Sequence, residues 1–163
     1  MLVGDTDFDL GNPIKNRQNL AKLLKAPSLS LLDTVKLKYP DQGILYSTQV
    51  GVDGRIFLKD NDTGLISYFV SFKKKRVLGK NALRQIKVWR DQHSASPIGI
   101  TKTVFFEHLL PQHGAMVSDS SQTEGGKNFW IQRAAEAFAL NLNVYDCDLS
   151  RQTMKLLSPG DLR

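Results

Sequence analysis

Gln85-Ile-Lys-Val-Trp-Arg90, then Asp91-Gln-His-Ser-Ala-Ser-Pro-Ile-Gly99, and on through two further helix-and-strand patterns to Asp148, sets the architecture expected of this chain. Ile86 and Val88 alternate with polar residues in the period-two pattern of a half-buried strand. A polar loop, Asp91 to Gly99, follows. From Gly99 the pattern changes: Ile100, Val104, Phe105 and Leu109 fall on one helical face, and Pro111 is expected to stop a helix of about three turns. Gly114-Ala-Met-Val-Ser118 reads as a short buried strand, and a second polar loop runs from Ser118 to Lys127. Another helix is expected from near Lys127, with Trp130, Ala134, Ala137 and Phe138 as its apolar face. Asn141 to Asp148 supplies a third strand, Leu142-Asn-Val-Tyr145. Strands joined through single helices are normally parallel, with right-handed crossovers that put the helices on the sheet faces. Any chemistry is then expected in the two loops.

Upstream, Asp5 to Leu10 has no period and reads as an arm or short edge strand. Asn12-Pro13 is a helix start, because asparagine caps free N–H groups and proline fits the first turn. Leu20, Leu23 and Leu24 form its apolar stripe, and Pro27 ends it. Ser28 to Leu37 is read as a second helix carrying Leu29, Leu32 and Leu37. Gly43 to Phe72 is a three-stranded antiparallel meander: Ile44 to Val50, a turn at Asp53-Gly54, Arg55 to Lys59, a turn at Asn61 to Gly64, then Leu65 to Phe72. Leu78-Gly79 turns the chain into the central stretch, and Thr153 to Leu157 adds a last antiparallel strand.

A chain of 163 residues is one domain's worth, able to bury roughly two thirds of its unfolded surface, and without repeats or linkers 1–163 is read as a single domain. Its hydrophobic fraction, 41%, and charged fraction, 23%, are those of an ordinary globular protein. No run of about 18 apolar residues exists to span a membrane. The amino terminus has acids where a secretory signal needs a basic start, so the expected location is cytoplasmic. One cysteine, Cys147, allows no intramolecular disulfide. The net charge of +6 fits nucleic acid, an anionic cofactor or a solvated surface. Lys73-Lys-Lys-Arg76 carries four of those charges; it is read as a solvated strand end or turn, with a phosphate-binding patch as the alternative.

The element order, two helices, a meander, then strand, loop, helix, buried strand, helix and closing strands, resembles the GCN5-related N-acetyltransferase (GNAT) fold over most of the chain. The resemblance implies an α/β protein with a mixed sheet: an antiparallel amino-terminal meander followed by strand-helix-strand-helix-strand, with helices on both faces. In that family, backbone N–H groups of the loop after the fourth strand hold the pyrophosphate of acetyl-CoA. A helix amino terminus suits that task, since it concentrates free donors and partial positive charge on an anion. The matching segment is Arg90 to Lys102, so the resemblance makes Ser94, Ser96, Ile98, Gly99, Ile100, Thr101 and Lys102 the cofactor-binding residues. The family pattern there is Gln or Arg, two residues, Gly, one residue, then Gly or Ala; Ser96-Pro-Ile-Gly99-Ile-Thr101 keeps its first glycine. Gln122-Thr-Glu-Gly125-Gly-Lys127 is a second partial match, which would move the phosphate loop by one strand-helix unit. Many members place a tyrosine general acid on the later helix, whereas Lys127 to Leu140 has Phe129 and Trp130 and no tyrosine.

The activity implied is acetyl transfer to an amine, a small molecule or a protein lysine. The alternative is a non-catalytic module of the same fold that engages a protein or nucleic-acid partner through its basic surface, with nucleic acid the less favoured partner. Acetyl transfer needs a deprotonated amine, hence a base at a strand end facing the cleft between splayed fourth and fifth strands. Asp119, Ser118 and His93 have suitable chain positions. Each also has a plainer reading: Asp119 as a turn cap within Ser118-Asp-Ser-Ser, His93 as an exposed loop residue. Glu107, His108 and His113 invite a metal reading, but the histidines are five apart, off one helical face, with Pro111 between them. Zinc needs three or four converging ligands, so no metal is expected. Cys147 lies between Asp146 and Asp148, which raise a thiol pKa, and reads as a packing residue. Gln122 to Lys127 is not a P-loop; Thr123 reads as a helix cap and Glu124 as a complement to the helix dipole. Trp89, Trp130 and the phenylalanines are read as core, not as a base-stacking platform.

Overall fold

Asn12 starts the first helix, α1 (Pro13–Leu23), with its side chain accepting from the N–H groups of Ile14 and Lys15. The structure, a computed structural model, describes residues 9–118 and 122–162. Residues 5–8 of the expected arm, and Asp119 among the candidate bases, lie outside that set. The chain forms two compact units, one with residues up to Lys75 and Asn81–Val117, the other with Arg76–Lys80 and Ser118–Arg163.

The first unit is built on a six-stranded sheet in sequence order: β1 (Ser30–Leu31), β2 (Gly43–Val50), β3 (Asp53–Asp60), β4 (Ile66–Val77), β5 (Lys80–Arg90) and β6 (Met116–Val117). β1 to β4 pair antiparallel, and β6 pairs parallel to β5. The meander is therefore as expected, with its first turn moved. Val50 pairs with Asp53, so the turn is Gly51-Val52 and Asp53-Gly54 lies inside β3. Gly54 is needed there for space: a Cβ on it would overlap the ring of Phe72, its neighbour on β4. The turn between β4 and β5 is Leu78-Gly79, both at positive φ, the backbone a two-residue hairpin requires. β4 runs on past Phe72 to Val77, so Lys73 to Arg76 form its exposed end, as expected, just before the turn.

Alternation divides the sheet into two faces. Phe57 and Phe69, paired across β3 and β4, bury against Leu10, Leu20 and Leu23, with Tyr46 and Trp89 packed at the edge. Each such side chain contributes about 1.5–3 kcal/mol on burial. α1 thus covers this face through Asn16, Asn19, Leu20 and Leu23. The expected inward pair on β5 was Ile86 and Val88. Trp89 takes the α1 side instead, while Ile86 is 38% exposed, because one large indole buries more apolar surface and a period of two leaves no compromise.

On the opposite face Ile56, Leu58, Tyr68 and Val70 are all fully buried. The helical segment over 100–113, α2, lies there, since its Leu109 and His113 share a cleft with Ile56 and Phe72. Ile100, Val104, Phe105 and Leu109 are at most 3% exposed, as their spacing predicts. Pro111 does not stop the helix. An α turn (Ile100–Thr103) passes into a π segment (Val104–Leu109), the Leu110 N–H donates five residues back to Phe105, and a last turn (Leu110–His113) follows. The shift in bonding before Pro111 carries the helix past a residue that has no N–H to give. Gly114, at φ 76, closes it.

Ser28 to Leu37 forms no helix: Ser30 and Leu31 pair with Ser47 and Tyr46, and Leu32 N–H donates to Leu45. Leucines without a consistent face gave the segment nothing to bury as a helix, and the open edge of β2 offered backbone partners.

In the second unit, α3 (Glu124–Ala139) is capped by Thr123, whose hydroxyl accepts from Gly126 N–H at 3.1 Å. β7 (Tyr145–Asp148) and β8 (Thr153–Leu156) then pair antiparallel in a separate two-stranded sheet. The third strand of the central stretch was expected to be parallel and part of the main sheet. It is neither. Tyr145 opposes Leu156 and Cys147 opposes Met154, while Asp146 opposes Lys155 on the other side. Such alternation suits a one-sided hairpin, whereas a strand covered on both faces needs a continuous apolar run.

Candidate functional site

Asp60, at the end of β3, organises the loop that follows β5. Only 4% exposed, its carboxylate accepts from the hydroxyls of Ser94 (2.6 Å) and Ser96 (2.7 Å) and from the N–H groups of Asp62 and Thr63, both at 2.9 Å. Ser96 also meets Ser67 at 2.8 Å, and Asp91 N–H donates to the Ser67 carbonyl. The turn before β4 and the loop after β5 are thereby tied together. Burial acts to raise the Asp60 pKa, but the donated bonds outweigh it and hold the carboxyl down to about 2.

Beyond this knot the loop reaches the surface. Ile98 and Gly99 are exposed, Gly99 has φ 75, and no atom stands within 4 Å of where its Cβ would be. Gly99 precedes α2 without a side-chain cap, so the first-turn N–H groups of Thr101 and Lys102 have no capping acceptor there. The Ile100 N–H is taken by the Pro97 carbonyl at 3.2 Å.

β5 and β6 meet only at Leu83 with Met116 and Arg84 with Val117. From Gln85 to Arg90, β5 has no β6 residue beside it among the described residues.

A cleft of about 380 Å³ lies on the α2 face of the same unit. Ile56, Phe72 and Leu109 give its apolar part, and Asp33, Gln49, Lys74, His108, Gln112 and His113 its polar part. The rings of His113 and Phe72 stand 6.2 Å apart, and Gln112 Nε2 is 3.5 Å from His108 Nδ1. Burial lowers the pKa of both histidines, and for His113 the charges of Lys74 and His108 lower it further. Among the described residues no three histidine, cysteine or acidic side chains are arranged to hold a metal ion.

The positions singled out in the sequence separate accordingly. Ser94 and Ser96 point their hydroxyls inward at Asp60, while Ile98, Gly99 and Lys102 are exposed and Thr101 half-buried. His93 is exposed on the same loop, its N–H donating to Asp91. Ser118 follows β6 and is half-buried. In the alternative segment Thr123 takes up the Gly126 N–H as a cap. Cys147 has its pKa raised by burial and by Asp146. Sequence reading did not single out Asp60, though Asp60-Asn-Asp-Thr-Gly64 carries the signature of an aspartate that folds back on its own turn. It also set His108 and His113 aside for their spacing; a π segment changes which residues share a face.

Compared with known proteins, the sequence matches no family model and no curated protein.

Proposed function

We propose that this chain is a GNAT-like N-acetyltransferase that binds acetyl-CoA and acetylates an amine. The observation that carries the reading is the β5–β6 pair, parallel and joined through one helix, with the loop after β5 leading into a helix start that has no side-chain cap. The room around Gly99 allows close backbone approach by a pyrophosphate, and Lys102 adds an exposed positive charge. Recognition of the phosphates falls to the backbone of Gly99, Thr101 and Lys102, because the Ser94 and Ser96 hydroxyls serve Asp60 and hold the loop in shape. Acetyl-CoA would supply the thioester acyl group; Ser118, Asp119 and His93 are the candidates to take the amine proton, directly or through a water.

The test is thermal unfolding with acetyl-CoA, using CoA and ATP for comparison. Binding at about 100 times Kd stabilises by roughly 2.7 kcal/mol. A saturable shift with acetyl-CoA that is absent with ATP, and that is lost when Gly99 and Thr101 are both replaced by glutamate, supports the reading. No shift at millimolar acetyl-CoA overturns it.

A second reading, a non-catalytic module for an anionic partner, is favoured by Lys73, Lys74, Lys75 and Arg76, all exposed along β4. A nucleic acid held there would lose affinity steeply with salt, and substituting this run would flatten the slope.

A further inference from the structure

The cleft on the α2 face plays no part in the proposed acetyl transfer, and its polar lining has a consistent chemistry. Lys74, His108 and His113 reach it as donors from β4 and α2, with Gln112 beside them and Asp33 as the only carboxylate of the lining. While both histidines are neutral, Lys74 and Asp33 offset each other; once both are protonated the lining carries two net positive charges. The two histidines each have a neighbour that holds the ring. Phe72 lies over Gly54, where a side chain would collide with it, His113 stands beside that ring, and Gln112 reaches His108. Side chains fixed by packing offer donors at little ordering cost.

We propose that this cleft is a binding site for the oxyanion group of a small ligand, a phosphate or carboxylate, held by Lys74, His108 and His113 and tightened by protonation of the histidines. The pH dependence follows from the groups that face the cleft: Asp33 from the segment after β1, Lys74 from β4, and His108 and His113 from α2. Burial lowers the pKa of both histidines, and the charges of Lys74 and His108 lower that of His113 further. An anion removes the repulsion, so its binding draws protons onto them and its affinity rises as pH falls through their range.

The chain has three histidines, and His93, exposed on the loop after β5, serves as an internal control. The experiment follows the three imidazole Cε1–H resonances of the full chain by NMR, assigned with His→Gln variants, in sulfate and in chloride at matched ionic strength. Sulfate stays a dianion throughout, so any pH effect belongs to the protein. The expected result is that sulfate raises the titration midpoints of His108 and His113 and leaves that of His93, with affinity about tenfold higher near pH 5.5 than near pH 7.5. Lys74→Met should weaken binding about tenfold, the loss of one charge-assisted bond, with the circular dichroism unchanged. Inorganic phosphate and acetate, run in parallel, should shift the same two resonances, and the larger response names the preferred oxyanion. Midpoints that move together in all three histidines, or not at all, overturn the proposal, as does unchanged sulfate affinity in Lys74→Met. The outcome is independent of acetyl-CoA binding.

Discussion

The side chain of Asn16 bonds both backbone groups of Ile66, donating from Nδ2 to its carbonyl at 2.9 Å and accepting its N–H on Oδ1 at 2.8 Å. It does so from α1, 2% exposed, beside the irregularity where the β3–β4 register shifts between Leu58 and Lys59. A bulge leaves backbone groups short of ladder partners, and a buried amide is the side chain able to give and take at once. The same amide donates to Leu10, which ties the entry to α1 to the sheet. Asn16→Asp keeps the shape but cannot donate when ionised. It should lower unfolding stability by about 2–4 kcal/mol in urea titrations; a loss within error would mean that Ile66 finds other partners.

Asp60 makes stability depend on acid. Its folded pKa, about 2, lies below the ordinary 3.8, so its contribution is fully present above about pH 4 and is lost as pH falls towards 2. The shift corresponds to roughly 2 kcal/mol at neutral pH. Denaturation curves between these pH values should show that step, and Asp60→Asn should remove it; an identical pH dependence in the variant would exclude Asp60 as its source.

Gly54→Ala should destabilise by about 1–3 kcal/mol, since the new methyl and the Phe72 ring claim one space. Pairing it with Phe72→Leu should recover part of the loss. A double-mutant cycle with no coupling between the two positions would contradict the packing described.

Ser71 is 2% exposed, and its hydroxyl has no hydrogen-bond partner among the described residues. Removing an unsatisfied buried hydroxyl favours the folded state, so Ser71→Ala should raise stability by about 1 kcal/mol. A clear decrease in Tm would show that the hydroxyl is satisfied in solution.

Cys147 should resist alkylation at neutral pH, because burial and Asp146 keep it as the thiol. Iodoacetamide labelling should accelerate in Asp146→Asn and at higher pH. Labelling of the original chain at the rate of a free thiol would refute this.

Local elements with short-ranged signals were legible in the amino-acid order alone. Asn12-Pro13 starts a helix and Thr123 caps one because the amides they serve lie within three residues. Ile100, Val104, Phe105 and Leu109 declare their buried face by spacing, and the meander by its apolar runs, although its first turn falls two residues before the expected one. The remaining features depend on contacts between distant parts of the chain. Asn16 and Ile66 stand 50 residues apart, and Asp60 meets Ser94 and Ser96 across 34 and 36 residues. Such bonds form when burial strips water from groups that must then find one another, and no local pattern encodes which partner arrives. The same holds for the cleft, where Lys74, His108 and His113 meet because a π segment carries α2 past Pro111. It holds too for β7, whose pairing partner, β8, lies in a separate two-stranded sheet that strand-and-helix order alone did not indicate.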